Sequence, residues 1–288
     1  MIPQGGGASA PDDLRGRVAL LATQHGKERA ITPVLEAELG LRVEVIAIDT
    51  DRFGTFTREV PRRGSQLEAA RDKARAALEG RGGGLALASE GSFGPHPALP
   101  FVTLGVELVV LLDPASGLEL VGRDTTLETN FAAGEVKTFE EARALANRCG
   151  FPEHGLVVMP APGAAADEIH KGVRDEGTFA ALVERVLSTQ GRAWIEADMR
   201  AHVNPTRMRS IERAAADLAR AARSLCPACG ARGFVPSSTL TGLPCADCGE
   251  PTTRARARVS VCAACSHRRE DPVEAAAAPA ANCAWCNP

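Results

Sequence analysis

The sequence contains no tyrosine, and only 4% of its 288 residues are aromatic. Only four of its 33 basic residues are lysine, so arginine supplies nearly all of the positive charge. No apolar run approaches the roughly 18 residues that a membrane-spanning helix needs, so we expect no membrane partner. Residues 1–13 lack the apolar core of a secretory signal. We therefore expect a disordered leader there and a cytoplasmic protein.

Neither charge sign dominates the chain, whose formal net charge is −3. This balance argues against a broadly basic nucleic-acid binder. With 44% apolar and 24% charged residues, the chain can bury a sizeable core, and disorder throughout is excluded.

Cysteine is rare in the first three quarters of the chain, where only Cys149 is present, and we expect it to be a buried helix-end thiol. The other eight form four C-x-x-C pairs: Cys226/Cys229, Cys245/Cys248, Cys262/Cys265 and Cys283/Cys286. A two-residue gap lets one tight turn aim two sulfurs at a metal ion, and two such turns make a tetrahedral zinc site. We predict two structural zinc ions in a C-terminal module, residues 226–288. A disulfide scaffold and an iron–sulfur protein are the alternatives.

The four pairs can combine sequentially, nested or interleaved. Gaps of 15 and 17 residues before the second and fourth pairs favour sequential ribbons. A predicted strand over 252–261 could equally link the middle pairs, so the pairing stays open. Because this module has few aliphatic residues, metal must supply much of its folding free energy.

Residues 14–225 alternate between strand and helix patterns, which predicts an α/β domain with a mixed or mostly parallel sheet flanked by helices. Two helices carry capping boxes, Ser65 with Glu68 and Thr138 with Glu141, and a third begins at Asn204 before Pro205. The predicted strands are 18–23, 42–48, 85–88, 106–112, 118–121, 156–159 and 192–196, and the predicted helices are 65–79, 138–149, 179–187 and 204–225.

The first strand is followed by a polar turn that includes Thr23, His25, Gly26 and Lys27. Gly26 permits a sharp turn, and the amides at a helix start together with Lys27 suit a phosphate group. An ordinary strand–helix turn with a solvated lysine is the alternative.

A second polar segment, residues 88–97, follows the strand over 85–88 and contains Glu90, Ser92 and His96 among several glycines and prolines. Such a loop is stiff, and a carboxylate at a strand end suits Mg²⁺ binding or general-base chemistry. A structural turn is the alternative, and we expect His96 to be a packed or exposed loop residue.

A third polar segment, residues 196–207, includes Asp198, Arg200, His202 and Arg207. If the strand persists, the first three of these point to one side. The helix start that follows favours an anion. A salt-bridged strand–helix junction is the alternative.

The turn at 22–28, the helix with Ser65 and Lys73, and the run from Ala88 to Gly91 together resemble the inosine/xanthosine triphosphate pyrophosphatase superfamily. That family hydrolyses non-standard nucleoside triphosphates with Mg²⁺. The resemblance covers about residues 18–130 and implies that Lys27 contacts phosphate and that Glu90 is a metal ligand or base.

The same resemblance implies that Glu68 and Lys73 line the site. The family's closing Ser-His-Arg signature is absent as such, and His202 with Arg207 could take a similar role. As a whole, the chain is similar to an uncharacterised bacterial family, a resemblance that implies no activity.

Two functions follow as hypotheses. The first is a Mg²⁺-dependent phosphohydrolase for a nucleotide-like substrate, with Mg²⁺ at Glu90 and with Glu90, Lys27 and His202 as catalytic residues. The predicted substrate-binding residues are Thr23, His25, Lys73, Ser92, Arg200 and Arg207. The second is a non-enzymatic adaptor whose α/β domain senses a small anion and whose zinc module docks onto RNA or protein. Arg254, Arg256 and Arg258 alternate on a predicted strand and could contact phosphates, or could form a solvated strand face.

Overall fold

The computed structural model of the protein describes residues 13–48, 64–79, 81 and 83–288. The predicted leader up to residue 12 and the segment 49–63 lie outside the described residues. The chain divides into two compact units, which we call the α/β unit (Leu14–Ala219) and the cysteine-rich unit (Arg220–Pro288).

The α/β unit carries nine strands and five helices among its described residues, which confirms the predicted fold class. The strands are β1 (Val18–Ala22), β2 (Arg42–Ile46), β3 (Leu85–His96), β4 (Leu99–Asp113), β5 (Leu118–Thr126), β6 (Ala133–Val136), β7 (Leu156–Met159), β8 (His170–Val173) and β9 (Ala193–Ala197). The helices are α1 (Glu28–Leu39), α2 (Gln66–Leu78), α3 (Phe139–Arg148), α4 (Glu176–Gln190) and α5 (Pro205–Arg223), of which α5 ends in the cysteine-rich unit.

The strands form two sheets. The first is mixed, in the order β2-β1-β3-β4-β5: β1 is parallel to β2 and β3, whereas β3, β4 and β5 are antiparallel neighbours. The second is antiparallel, in the order β6-β9-β7-β8. The sequence pattern did not reveal β6 (AGEV) and β8 (HKGV), because neither is a continuous apolar run like that of β7 (LVVM).

Side-chain caps lie at the starts of four helices, of which α4 is capped by Asp175 through the amide of Thr178. Ser65 and Glu68 form the predicted capping box at α2. Thr138 caps α3, and the side chain of Asn204 accepts from the amide of Arg207 at the start of α5. Alanines of α2 then pack against small and branched residues of β3 and β4, so the helix lies close to the mixed sheet.

The predicted loop after residue 88 is instead the second half of β3. Its pairing with β1 ends at Ala88, but its pairing with β4 continues as far as His96. Pro95 is tolerated because β1 no longer borders β3 there, and a proline fits an edge that needs no further hydrogen bond. Glu90 therefore lies within a strand, and its placement at a strand end was wrong.

The cysteine-rich unit holds one antiparallel sheet, in the order β10-β11-β12. These strands are β10 (Pro236–Thr241), β11 (Ala255–Val261) and β12 (Arg268–Pro272). The apolar core beside this sheet is small and includes Phe234 with two of the cysteines. In the part of the chain that the structure describes, no helix is long and apolar enough to cross a membrane.

Candidate functional site

The mixed sheet has a switch point between β1 and β3. The chain leaves β1 for β2 on one side and returns to β3 on the other, so the connections diverge there. In open α/β sheets, ligands bind in the crevice that such a divergence creates at the carboxyl ends of the strands. Here β1 ends at Ala22 and β3 continues, so the 23–27 turn lies beside the part of β3 that β1 no longer borders.

Lys27 is the central cation at this edge. It lies directly before α1, is buried, and its Nζ donates to the carbonyl oxygen of Ser89 at 3.2 Å. Burial, followed by the nearby charges of Arg207 and Lys73, lowers the pKa of Lys27 from 10.5 to about 7. A lysine this perturbed beside a sheet switch point is a feature of functional sites.

A buried ion pair joins α2 to β3. The Nζ of Lys73 lies 2.5 Å from Oε2 of Glu90, and both side chains are at least nine-tenths buried. Gln66 of the same helix donates to the carbonyl oxygens of Glu90 and Val106 at 2.7 and 2.9 Å. The helix therefore holds both the carboxylate and the backbone that carries it.

A second buried ion pair joins β4 to α5. Nε of Arg207 donates to Oε1 of Glu107 at 2.6 Å, and neither side chain is more than 1% exposed. Arg207 also donates to the carbonyl oxygen of Met199. A Cβ on Gly91 would lie 2.5 Å from Arg207 and 2.6 Å from Glu107, so only glycine leaves room for this pair. Glu107 was missed in the sequence, although a lone carboxylate inside an otherwise apolar strand is a recognisable signal.

The two pairs lie on opposite faces of the mixed sheet. Glu90 is in register with Leu108, and Gly91 is in register with Glu107. Since successive strand residues point to opposite faces, the carboxylates of Glu90 and Glu107 diverge. Lys27 lies at the strand edge and is affected by the charges of both pairs. The three predicted segments therefore meet around the edge of β3, not on a single face.

The charges of this cluster favour an anion. Lys27, Lys73 and Arg207 oppose Glu90 and Glu107, which leaves one net positive charge in a buried place whenever Lys27 is protonated. Two hydroxyl oxygens nearby, Oγ1 of Thr23 and Oγ of Ser89, are buried and form no hydrogen bond to any described residue. Hydroxyls and cations together are the donors that a phosphate group accepts from.

A resident Mg²⁺ at Glu90 does not fit these residues, because the carboxylate is already neutralised by Lys73 at 2.5 Å. Glu107 is likewise held by Arg207. Among the described residues, the clusters with three or more potential metal ligands are both made of cysteine.

The third predicted segment folds differently from expectation. β9 ends at Ala197, so Asp198, Arg200 and His202 do not alternate along a strand. Arg200 binds the carboxylate of Asp198 with contacts of 2.6–3.1 Å, which makes it part of a salt-bridged junction. His202 stacks on His25 with 5.4 Å between ring centroids. Burial and the charge of Arg200 lower the pKa of His202, which favours a neutral imidazole.

The other polar residues singled out in the sequence occupy varied places. Ser92 is half-buried on β3, on the same face as Glu90 by alternation. Glu68 is an exposed helix cap, so it does not line the site as the resemblance implied. The Nδ1 of His96 accepts from the amides that follow it and closes the turn between β3 and β4. Cys149 is buried, and burial raises its pKa to about 11, so it is an unreactive thiol.

The four C-x-x-C pairs combine into two clusters that could hold zinc. In each cluster the four sulfurs lie within 4.8 Å of one another, and the closest sulfurs of facing pairs are 3.6–3.9 Å apart. A tetrahedron with Zn–S bonds of about 2.3 Å has edges of about 3.8 Å, so these distances fit Zn²⁺. The clusters are Cys226/Cys229/Cys262/Cys265 and Cys245/Cys248/Cys283/Cys286.

The pairing is interleaved, one of the three alternatives that the sequence left open, and not the sequential pairing that the gap lengths favoured. The antiparallel β10–β11 hairpin brings the start of β10 beside the end of β11, and the pairs flanking those ends form the first cluster. The pair at Cys245 lies in the connection from β10 to β11, at the other end of the hairpin. β12 leads the chain back towards that end, where the last pair completes the second cluster.

The individual cysteine turns follow the predicted geometry. Gly230 and Gly249 have φ of 75° and 77°, and Ser266 occupies the same left-handed region after the third pair. In all four turns, the amide after the second cysteine donates to the carbonyl oxygen of the first. The amides of Cys286 and Trp285 lower the pKa of the Cys283 thiol to about 7, which favours the thiolate that zinc binds.

A comparison with curated proteins found no match. A family described as a domain of unknown function (DUF6671) matches residues 73–288. The match begins after Lys27 and includes both buried ion pairs and both cysteine clusters. Because it covers about three quarters of the 288 residues, the chain belongs to the DUF6671 family.

Proposed function

We propose that the α/β unit binds a phosphate group at the edge of β3 and hydrolyses a phosphoanhydride of a nucleotide-like substrate. The observation that carries this proposal is the buried cluster of three cations and two carboxylates at the sheet switch point. Its net positive charge would be balanced by one anionic group of the substrate.

The cost of keeping Lys27 buried supports a binding role. A buried amine beside two other cations is destabilising, and a protein that gains nothing from it would be more stable with an apolar residue there. A bound phosphate would raise the pKa of Lys27 and so recover that free energy. The hydroxyl of Thr23, in the same turn as Lys27, supplies a further donor to the same anion.

Phosphoanhydride cleavage depends mainly on positioning and on charge stabilisation. Lys27 would neutralise charge that develops on the leaving oxygens as the bond breaks. We assign the general-base role to Oε1 of Glu90, which would take a proton from the attacking water, while Lys73 holds Oε2 and Gln66 holds the backbone of Glu90. His202, beside His25, would orient the substrate from the 198–204 segment. Because the donor set does not fit a resident Mg²⁺, no step of this mechanism depends on a metal held by the protein.

The test is a panel of nucleoside triphosphates, with phosphate and pyrophosphate release measured with Mg²⁺ and with EDTA. We expect turnover by the wild type and a loss of about 10²-fold or more in Lys27→Met and Glu90→Gln, the range for removal of one transition-state contact. Lys137→Met and Glu44→Gln are matched controls, because both side chains are exposed and lie outside the cluster.

Calorimetric titration with inorganic pyrophosphate separates binding from chemistry. Absence of turnover on every substrate, or equal turnover by Glu90→Gln, would refute the enzymatic proposal. Pyrophosphate binding that depends on Lys27, without any turnover, would support the anion-sensing alternative instead.

A further inference from the structure

The middle strand of the cysteine-rich unit carries a row of exposed arginines. Arg254, Arg256 and Arg258 are exposed, whereas Ala257 and Val259 between and after them are buried. Arg256 and Arg258 lie on β11, and since strand side chains alternate, their guanidinium groups share one face, about 6.6 Å apart along the strand. Arg254 lies directly before the first residue of β11. We call these three residues the arginine row.

The acids nearest to the arginine row are already paired. Asp271 lies opposite Arg258 in the register but binds Arg269 of its own strand at 3.0 Å. Glu270 binds Arg268 in the same way at 2.6 Å. Within the described residues, no acid forms an ion pair with any member of the arginine row. The row therefore presents uncompensated positive charge to solvent.

The other flank of the row offers hydroxyl groups and no acid. β10 has the sequence PSSTLT, and all of its hydroxyl-bearing residues are exposed. Thr239 is in register with Arg258, so its hydroxyl lies on the arginine face. Serine, threonine and arginine are side chains that contact phosphates in nucleic-acid complexes.

An exposed aromatic residue belongs to the same end of this unit. Trp285 is 80% exposed and lies within the last cysteine pair. Its cluster includes Cys245 and Cys248 of the β10–β11 connection, which leads directly to Arg254. An exposed tryptophan loses apolar burial, and it offers a flat surface on which a base can stack.

We propose that this face binds single-stranded nucleic acid, with phosphates on the arginine row and a base stacked on Trp285. The pattern favours a single strand because a duplex keeps its bases stacked and unavailable to the indole. The near-neutral net charge of the whole chain does not oppose this, since the three arginines of the row lie within five consecutive residues. The residues of this face belong to the cysteine-rich unit, and the proposal does not depend on the activity proposed for the α/β unit.

The experiment is fluorescence anisotropy of the full zinc-loaded chain with labelled 20-nucleotide poly(U), poly(A) and poly(dT), and with a labelled duplex. Three phosphate contacts predict that affinity falls about 20-fold between 50 and 200 mM salt. The triple variant R254Q/R256Q/R258Q should lose this salt dependence and bind at least tenfold more weakly. Trp285→Ala should weaken binding about 5- to 150-fold. Preference for poly(U) over poly(dT) would identify RNA as the source of the strand.

The matched control is R42Q/R75Q/R192Q, which removes the same charge from exposed positions of the α/β unit. Zinc content of two ions per chain in every variant establishes that the unit is folded. Absence of wild-type binding at 50 mM salt, or equal weakening in the control, would overturn the proposal. The proposal would also be overturned if single strand and duplex bound equally well and Trp285→Ala did not change the affinity for either. If this face binds an acidic protein and no nucleic acid, the wild type will not bind any of the labelled strands at 50 mM salt.

Discussion

Replacing Lys27 with methionine should make the α/β unit more stable at neutral pH, although it removes a proposed catalytic residue. Burial and two nearby cations lower the pKa of Lys27 from 10.5 to about 7 in the folded state. At 1.36 kcal/mol per pKa unit, this fall corresponds to about 5 kcal/mol of destabilisation by the charged form. Loss of the 3.2 Å bond to Ser89 offsets about 1 kcal/mol of the gain.

The stability difference between Lys27→Met and the wild type should depend on pH, because the folded and unfolded chains protonate Lys27 at different pH values. Below pH 7 the amine is charged in both folded and unfolded chains, so its full cost is present. Between pH 7 and 10.5 the unfolded chain binds more protons than the folded one, so wild-type stability rises with pH. The advantage of Lys27→Met should therefore be largest at pH 6.5 and should shrink by about 3 kcal/mol or more by pH 9.5.

Urea unfolding in buffers without phosphate or sulfate measures this difference. The chain has two tryptophans, so in a Trp285→Phe background Trp194 of β9 reports on the α/β unit alone. Lys137→Met is the control, because that lysine is exposed and should change stability little at either pH. A Lys27→Met variant that is less stable at pH 6.5, or equally shifted at both pH values, would refute the reasoning.

Two further predictions concern the cysteine clusters and the second ion pair. Cys229 and Cys262 belong to the same cluster, so Cys229→Ser/Cys262→Ser should leave one zinc ion per chain by elemental analysis. Cys229→Ser/Cys248→Ser removes a ligand from each cluster and should leave no zinc. Sequential pairing would give the opposite zinc contents. Glu107→Gln leaves Arg207 charged and buried without its carboxylate and should cost about 3–5 kcal/mol in urea unfolding. The double replacement Glu107→Leu/Arg207→Met should cost less than that single change, and an equal or larger cost would contradict this account.

Much of the fold could be predicted because its signals are local. The cap at Ser65, the start of α5 after Asn204 and the strand at Leu156–Met159 depend on residues a few positions apart. The length of β3 could not be predicted in this way. Glycine and proline usually end a strand, but here a long partner, β4, continues the pairing past them.

The candidate site was predicted in part, because some of its residues lie in local sequence patterns and others are brought together only by long-range contacts. Lys27 and Lys73 were identified from the pattern and the resemblance, and the structure brings both to the edge of β3. Arg207 was predicted as a substrate ligand, but its fully buried pairing with Glu107, a hundred residues away, could not be seen from either segment. His202 and Arg200 stay predictions for substrate binding.

The sequence alone determined that eight thiols form metal-binding turns, because two cysteines separated by two residues share one turn wherever the turn lies. Only the tertiary structure decided which turns combine, because that choice follows from the antiparallel pairing of β10 and β11. The same holds for Lys27. The sequence shows that a lysine is present, but its lowered pKa arises from burial and from the charges of Arg207 on α5 and Lys73 on α2, which only the tertiary structure brings close.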